Sequence, residues 1–351
     1  MERIEKLRNL MKEDSVESLL ITNLNNIFYL TGFWGTSATV LVTENEQYFI
    51  TDARYTLIAR ETVKNFKIIE SRQPLVEVDS ILKSENISSL QFEGEVSFAF
   101  YQNLKNTLSV DLKASSNLVE KLRIIKDNSE IKLIEKACSI SDQAFIDVLD
   151  FIKVGISELD VANFLDFRMR ELGASGISFE TIVASGNRSS MPHGVASDKL
   201  LELGDTITLD FGCYYNHYVS DMTRTVFLGQ PEDKMVEIYN TVLESNNTLI
   251  NQTRAGLLYK DYDGIARDVI EQTGYGDYFT HGIGHGIGID IHEDPFFGKT
   301  SEEKLQAGMV ITDEPGIYVD DLGGVRIEDD LVVLDDGCKI ITKAPKELII
   351  I

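Results

Sequence analysis

The stretch GDTITLDFGCYYNHYVSDMTRTVFLG, residues 204–229, holds two strand-like runs that meet near Tyr215-Asn216, and asparagine is a turn former. A turn centred there sets Asp210 directly opposite Asp221. Opposed residues of an antiparallel pair keep their Cβ atoms roughly 4.5–5.5 Å apart, where like charges destabilise. A cation between the two carboxylates turns that repulsion into attraction. The flanking TITLDF and TRTVF are apolar enough to be half buried, which weighs against two aspartates on a solvated face. A bulge at Gly212 would shift this register.

Two further acids lie in similar company. Glu314 ends the apolar run of MVITDEPGIYV (309–319), and Glu328 sits in GVRIEDDLVVL (324–334) beside Arg326, Asp329 and Asp330. A buried carboxylate without a partner is costly. Each alone reads as a strand-end cap or salt bridge, but with Asp210 and Asp221 they make four acids at strand positions in one region.

Between them lies HGIGHGIGIDIHEDP (281–295), with three of the five histidines of the chain and glycine at 282, 284, 286 and 288. As an extended strand it bares one face to backbone, open to a substrate or another layer, while His281 and His285 share the other face. Four glycines in seven residues argue against a helix. There is no phosphate-loop register and no HExxH, because Asp294-Pro295 follows His292-Glu293. A GxSxG serine elbow is also missing. Four carboxylates with one or two imidazoles fit two divalent cations, which can activate a shared water and polarise a carbonyl. His193, in RSSMPHGVAS, reads from spacing alone as part of a polar loop, and His217 as a turn residue.

Outward again, GISELDVANFLDFRMRELG (155–173) and GLLYKDYDGIARDVIEQTG (256–274) are each bounded by glycine and each preceded by a long helix-patterned segment. They suggest two similar halves facing each other across a pseudo-two-fold axis, with a site between them. Residues before about Leu122 read differently. Strands SLLIT (18–22), TVLVT (39–43), QYFIT (47–51), FKIIES (66–71) and SLQFEG (89–94) alternate with helices from about Arg54 and around Val76–Ser84, an α/β pattern. The expected division is 1–122 and 123–351.

Of 351 residues, 43% are hydrophobic and 26% charged, an ordinary globular composition. A net charge of -24 argues against nucleic acid or an anionic membrane as partner. No run reaches the roughly 18 apolar residues of a membrane span. The opening MERIEKLRNLMKED shows no signal-peptide core, and three widely spaced cysteines fit a cytoplasmic protein.

In combination, LDFG…SDMTRT, GIGHGIG…HEDP, DEPGIY and GVRIEDD resemble the pita-bread metallopeptidases, and more narrowly their proline-directed branch, aminopeptidase P and Xaa-Pro dipeptidase. NIFYLTGF and TDARY extend the likeness to the amino-terminal domain of creatinase-like members. The resemblance implies an α/β creatinase-like domain followed by an α+β pita-bread catalytic domain. It implies that Asp210, Asp221, His285, Glu314 and Glu328 hold two divalent metal ions, with Asp221 and Glu328 bridging. Manganese is expected, with cobalt or zinc as alternatives.

His292 and His281 resemble the catalytic histidines, with His193, His281 and Arg326 on the substrate side and Tyr318 behind them. Glu314 also resembles the proton shuttle to the leaving proline nitrogen. The implied activity is an Xaa-Pro aminopeptidase acting on proline-containing peptides as a homodimer. ISFETIVASG, DFGCYY and KAPKELIII lean that way, toward short bacterial forms. The alternative is an Xaa-Pro dipeptidase (prolidase). A noncatalytic binding module is more remote, since such relatives have lost ligands that are present here.

Overall fold

The computed structural model describes residues 2–115, 117–298 and 300–351. Two compact units divide the chain, Met1–Arg123 and Ile124–Ile351.

The first unit is built on one six-stranded sheet. Its strand order is Lys67–Glu70, Gln47–Thr51, Thr39–Thr43, Ser18–Ile21, Ser89–Phe92 and Asp111–Ala114. The three central strands run antiparallel, joined by the hairpin around Glu44-Asn45-Glu46, and each flank adds parallel strands. Apolar side chains such as Leu20, Leu41 and Leu90 are buried beneath the helices Pro74–Ser84 and Phe98–Thr107.

The second unit contains the same arrangement twice. Helices Asn128–Leu149 and Glu158–Glu171 form one pair, and Asp233–Gln252 and Tyr259–Gln272 the other. Each pair packs on its own sheet and closes its own apolar core. In the first half the strand order is Met222–Phe227, Thr206–Phe211, Ile182–Ser185. The second half repeats it as Asp329–Leu334, Val310–Asp313, His285–Gly286, with one more strand at each edge.

The likeness reaches single residues. Gly155 and Gly256, both at φ 88°, open the second helix of each pair. Their N–H groups donate to Leu201 and Leu305, which begin LELGDTITLD (201–210) and LQAGMVITDE (305–314). These two segments share Leu, the positive-φ glycines Gly204 and Gly308, Ile-Thr, and a terminal acid. Asp210 and Glu314 therefore occupy matching positions.

One expected register is corrected. The hairpin turns at Asn216-His217, both in the left-handed region at φ 46° and 72°, the geometry of a two-residue turn that follows strand twist. Asp210 consequently pairs with Thr223, and Asp221 stands diagonal to Asp210 rather than opposite it. At Gly212 the chain passes so close to the Ser220 carbonyl that any Cβ would overlap it. No helix among the described residues is long and apolar enough to cross a membrane.

Candidate metal centre

The strands at the centre of each half are buried along their whole length, so their polar side chains need partners within the protein. Along Thr206–Phe211, Ile207, Leu209 and Phe211 face the helices, and the alternate residues Thr208 and Asp210 face away. The second half delivers Glu314 just past its matching strand and Glu328 just before the return strand Asp329–Leu334. Carboxylate oxygens of Asp210, Asp221 and Glu328 come within 4.8 Å of one another. Oδ1 of Asp210 is buried with no hydrogen-bond partner.

His285 completes this cluster. Its Nδ1–H donates to the Gly286 carbonyl at 3.1 Å, which leaves the Nε2 lone pair pointing inward. That nitrogen lies 3.7 Å from Asp221 Oδ2 and 3.6 Å from Glu314 Oε1. A lone pair facing carboxylate oxygens is repulsive unless a cation sits between them. The donor set, oxygen-rich with one imidazole, is the chemistry of a hard or borderline divalent ion.

The electrostatics carry the same message. Burial, then the charge of Glu328, pushes the Asp221 carboxyl well above its usual range, and burial, then Glu314, does so for Glu328. Burial lifts the Glu314 carboxyl to about 7 against the opposing pull of Arg326. Burial drops both His285 and His281 to about 4 and lowers His292, so these imidazoles are neutral near neutral pH. Neutral imidazoles are the form that binds metal or accepts protons.

A second chain of bonds backs the carboxylates. Arg326 donates to Asp210 Oδ2 at 2.6 Å, to the Tyr318 hydroxyl at 2.6 Å and to Thr223 Oγ1 at 3.0 Å. The Thr223 hydroxyl in turn donates to Glu328 Oε2 at 2.7 Å. The Tyr318 hydroxyl, already an acceptor from Arg326, donates to His281 Nε2 at 2.9 Å, and His281 Nδ1–H then donates to the Gly282 carbonyl at 2.7 Å. One tautomer of His281 is thereby fixed.

Asp210, Asp221, His285, Glu314, Glu328, His193, His281, His292 and Arg326 all line one cavity of about 530 Å³. Its remaining wall is largely apolar, with Phe179, Ile182, Val195, Ile291, Phe296 and Phe297, and carries one further acid, Glu180. His217 stays apart in its turn. Thr223 and Thr312 are additions that sequence reasoning did not flag, and Asp330, seen there only as a neighbour of Glu328, gains a role. Thr312 receives the His285 N–H and donates to Glu314, and Asp330 receives the Asp221 N–H. The alternation Thr223-Arg224-Thr225 within a buried strand was the available signal for Thr223.

The glycines of HGIGHGIG act differently from one expectation. A Cβ at Gly284, Gly286 or Gly288 would overlap this chain's own Thr312, Asp294 or Glu293, so three of the four admit another protein layer. Only Gly282 lies open.

Residues 132–335 match the metallopeptidase family M24, and residues 3–125 the creatinase/prolidase amino-terminal domain. A solved Xaa-Pro dipeptidase from Bacillus anthracis is 45% identical, covers 100% of this chain and 99% of its own, and superposes with a TM-score of 0.98. An Xaa-Pro dipeptidase from Pyrococcus furiosus is 40% identical over 99% of both chains. A solved X-Pro aminopeptidase from Thermotoga maritima is 35% identical over 99% of both, with a TM-score of 0.90.

Proposed function

The chain belongs to the metallopeptidase family M24, in its proline-directed branch, and from that premise we propose that it is an Xaa-Pro dipeptidase with a dinuclear metal centre. The observation that carries the metal reading is the His285 Nε2 lone pair converging with carboxylates of both halves, beside a buried Asp210 oxygen that nothing else satisfies. Asp210, Asp221, His285, Glu314 and Glu328 would hold two divalent ions, manganese being our first choice and cobalt or zinc the alternatives. Bound there, such ions would lower the pKa of a shared water and polarise the scissile carbonyl.

The chain's own residues do the rest. The apolar wall of Phe179, Ile182, Val195 and Phe296 takes the proline ring and excludes water from it. His281, locked with Nε2 toward Tyr318, shapes the floor, while His292 and His193 face the substrate. Glu314, at the end of its strand between His285 and the cavity, would take a proton from the attacking water and return it to the proline nitrogen. Arg326 holds Asp210 in place and leaves its Oδ1 free. We read the chain as a cytoplasmic homodimer; its three cysteines are free thiols.

The relatives favour the dipeptidase over the aminopeptidase expected from sequence, although an X-Pro aminopeptidase also stands among the similar structures. The segments that suggested the latter sit in a fold shared by relatives of both names. One observation favours the aminopeptidase as a second reading. Arg326 is the only Lys or Arg among the described cavity residues, and it is committed to Asp210, Tyr318 and Thr223. A free proline carboxylate would therefore rely on His193 and His292. The test is kcat/KM on an Xaa-Pro dipeptide against the matching Xaa-Pro-Pro tripeptide, with manganese-loaded protein. Dipeptide preference supports the dipeptidase, and tripeptide preference replaces it with the aminopeptidase.

A further inference from the structure

Lys126 and Glu130 lie four residues apart where the chain enters the second unit, and each binds a residue that neighbours a cavity-lining segment, Glu293 beside His292 and Tyr218 in the hairpin before Asp221. Glu130 accepts the Tyr218 hydroxyl at 2.9 Å, while its other oxygen accepts the Asp127 N–H in a capping box. That bond ties the helix start to the hairpin just before Asp221. Lys126 sets its ammonium 2.8 Å from Glu293 Oε1, with the two side chains 1% and 9% exposed.

Glu293 is the residue after His292, and its carboxylate fills the inside of the turn that carries that histidine. Its Oε2 accepts the Asp290 N–H at 3.3 Å. Its head presses on Gly288, where any Cβ would overlap it, which accounts for the last glycine of HGIGHGIG. The Gly288 carbonyl receives the Val219 N–H at 2.9 Å, so the turn also leans on the hairpin that Glu130 holds. At the far side of the turn the His292 ring sits 4.3 Å from that of His285. A carboxylate enclosed this far is favoured by a cation beside it, and removing that cation weakens what holds the carboxylate in place.

We propose that Lys126 is a positioning residue: through Glu293 it holds the turn 287–292 in one conformation and so sets where the His292 imidazole stands. The proposal rests on the substrate-facing role given to His292 above. It involves no contact between Lys126 and substrate or metal.

The test uses the full chain labelled at histidine 13Cε1, whose five histidines give five signals, with His292 assigned by its loss in His292→Ala. In metal-free Lys126→Met the His292 signal is expected to move or split while that of His217 stays. In the manganese-loaded variant, metal stoichiometry should hold, kcat should fall about 10–100-fold with KM little changed, and Lys126→Arg should restore most of it. In a His292→Ala background, Lys126→Met should cost nothing further.

An unchanged His292 signal in folded Lys126→Met overturns the proposal, as does an equal loss of kcat in the His292→Ala background. If Lys126→Met does not fold, Glu293→Gln, which keeps the side chain's size, is judged by the same criteria. Should the wild type cleave no Xaa-Pro peptide, the peptidase reading fails, and the metal-free spectra still decide the positioning role.

Discussion

The two halves of the second unit are nearly the same piece of fold put to different use. LELGDTITLD ends on Asp210, near the end of its central strand, and LQAGMVITDE on Glu314, just past the matching one. The first half then returns through a two-residue turn at Asn216-His217 to Asp221. The second interposes a ribbon, Gly316–Val319 with Gly323–Arg326, before reaching Glu328. That ribbon supplies Tyr318 and Arg326, and the segment before the strand supplies His281 and His285. The first half contributes instead Phe179, Ile182, Val195 and His193. The second half carries most of the proton and metal chemistry, and the two halves share the apolar wall. A duplicated scaffold gives paired carboxylates at no extra topological cost; the insertions make the site asymmetric, as a substrate with two different ends requires.

The largest expected effect tests whether both halves are needed for metal. Asp221→Ala and Glu328→Ala should each abolish metal binding and turnover, measured by metal content and Xaa-Pro hydrolysis. If only one does so, the halves do not contribute equally. His292→Ala should retain both metals and lose roughly 10²–10⁴-fold in kcat, the usual range for a general acid or base. Full activity in that variant would remove His292 from the chemistry.

Between the halves, Arg224 of the first donates to Asp329 of the second at 2.8 Å, both side chains 1% exposed. Arg224→Met should cost roughly 3–5 kcal/mol in denaturant unfolding, because Asp329 keeps only Lys346 of its two cations and the buried carbonyls of Thr223, Glu328 and Ala344 lose their donor. The smallest effect separates the matching glycines. Gly204 and Gly308 share a positive φ, so alanine costs each about 1–2 kcal/mol from the backbone alone. A Cβ at Gly204 meets open space, whereas at Gly308 it meets Ile125 Cγ2 at 2.9 Å. Gly308→Ala should therefore lower Tm further than Gly204→Ala, and equal shifts would mean that Ile125 moves aside freely.

Much of the site was legible because acids and histidines are conspicuous in apolar strands. Asp210, Asp221, Glu314 and Glu328 stood out by residue type, whatever the register. The register itself was misjudged because Tyr215-Asn216 and Asn216-His217 are adjacent turns that differ by one residue, and only the backbone angles choose between them. The repeat was visible in the glycine-bounded helices. The LxxGxxIT pattern of the strands escaped notice, since the spacing between the halves changes from 101 residues at Gly155 and Gly256 to 104 at Gly204 and Gly308. The glycines of HGIGHGIG are open in sequence to a substrate or to another layer, and Glu293, Asp294 and Thr312 supply the layer at three of the four.

By itself, then, the sequence determined the two-part organisation, the acid and histidine inventory, and the kind of ion they suit. Those follow from local periodicity and side-chain chemistry. Tertiary structure decided which oxygen of Asp210 is left unsatisfied, which His285 nitrogen faces the carboxylates, that Arg326 is already occupied, and that Lys126 lies under the His292 turn. Each of these depends on groups far apart in the chain meeting in a buried space, where the missing or supplied hydrogen-bond partner fixes the chemistry.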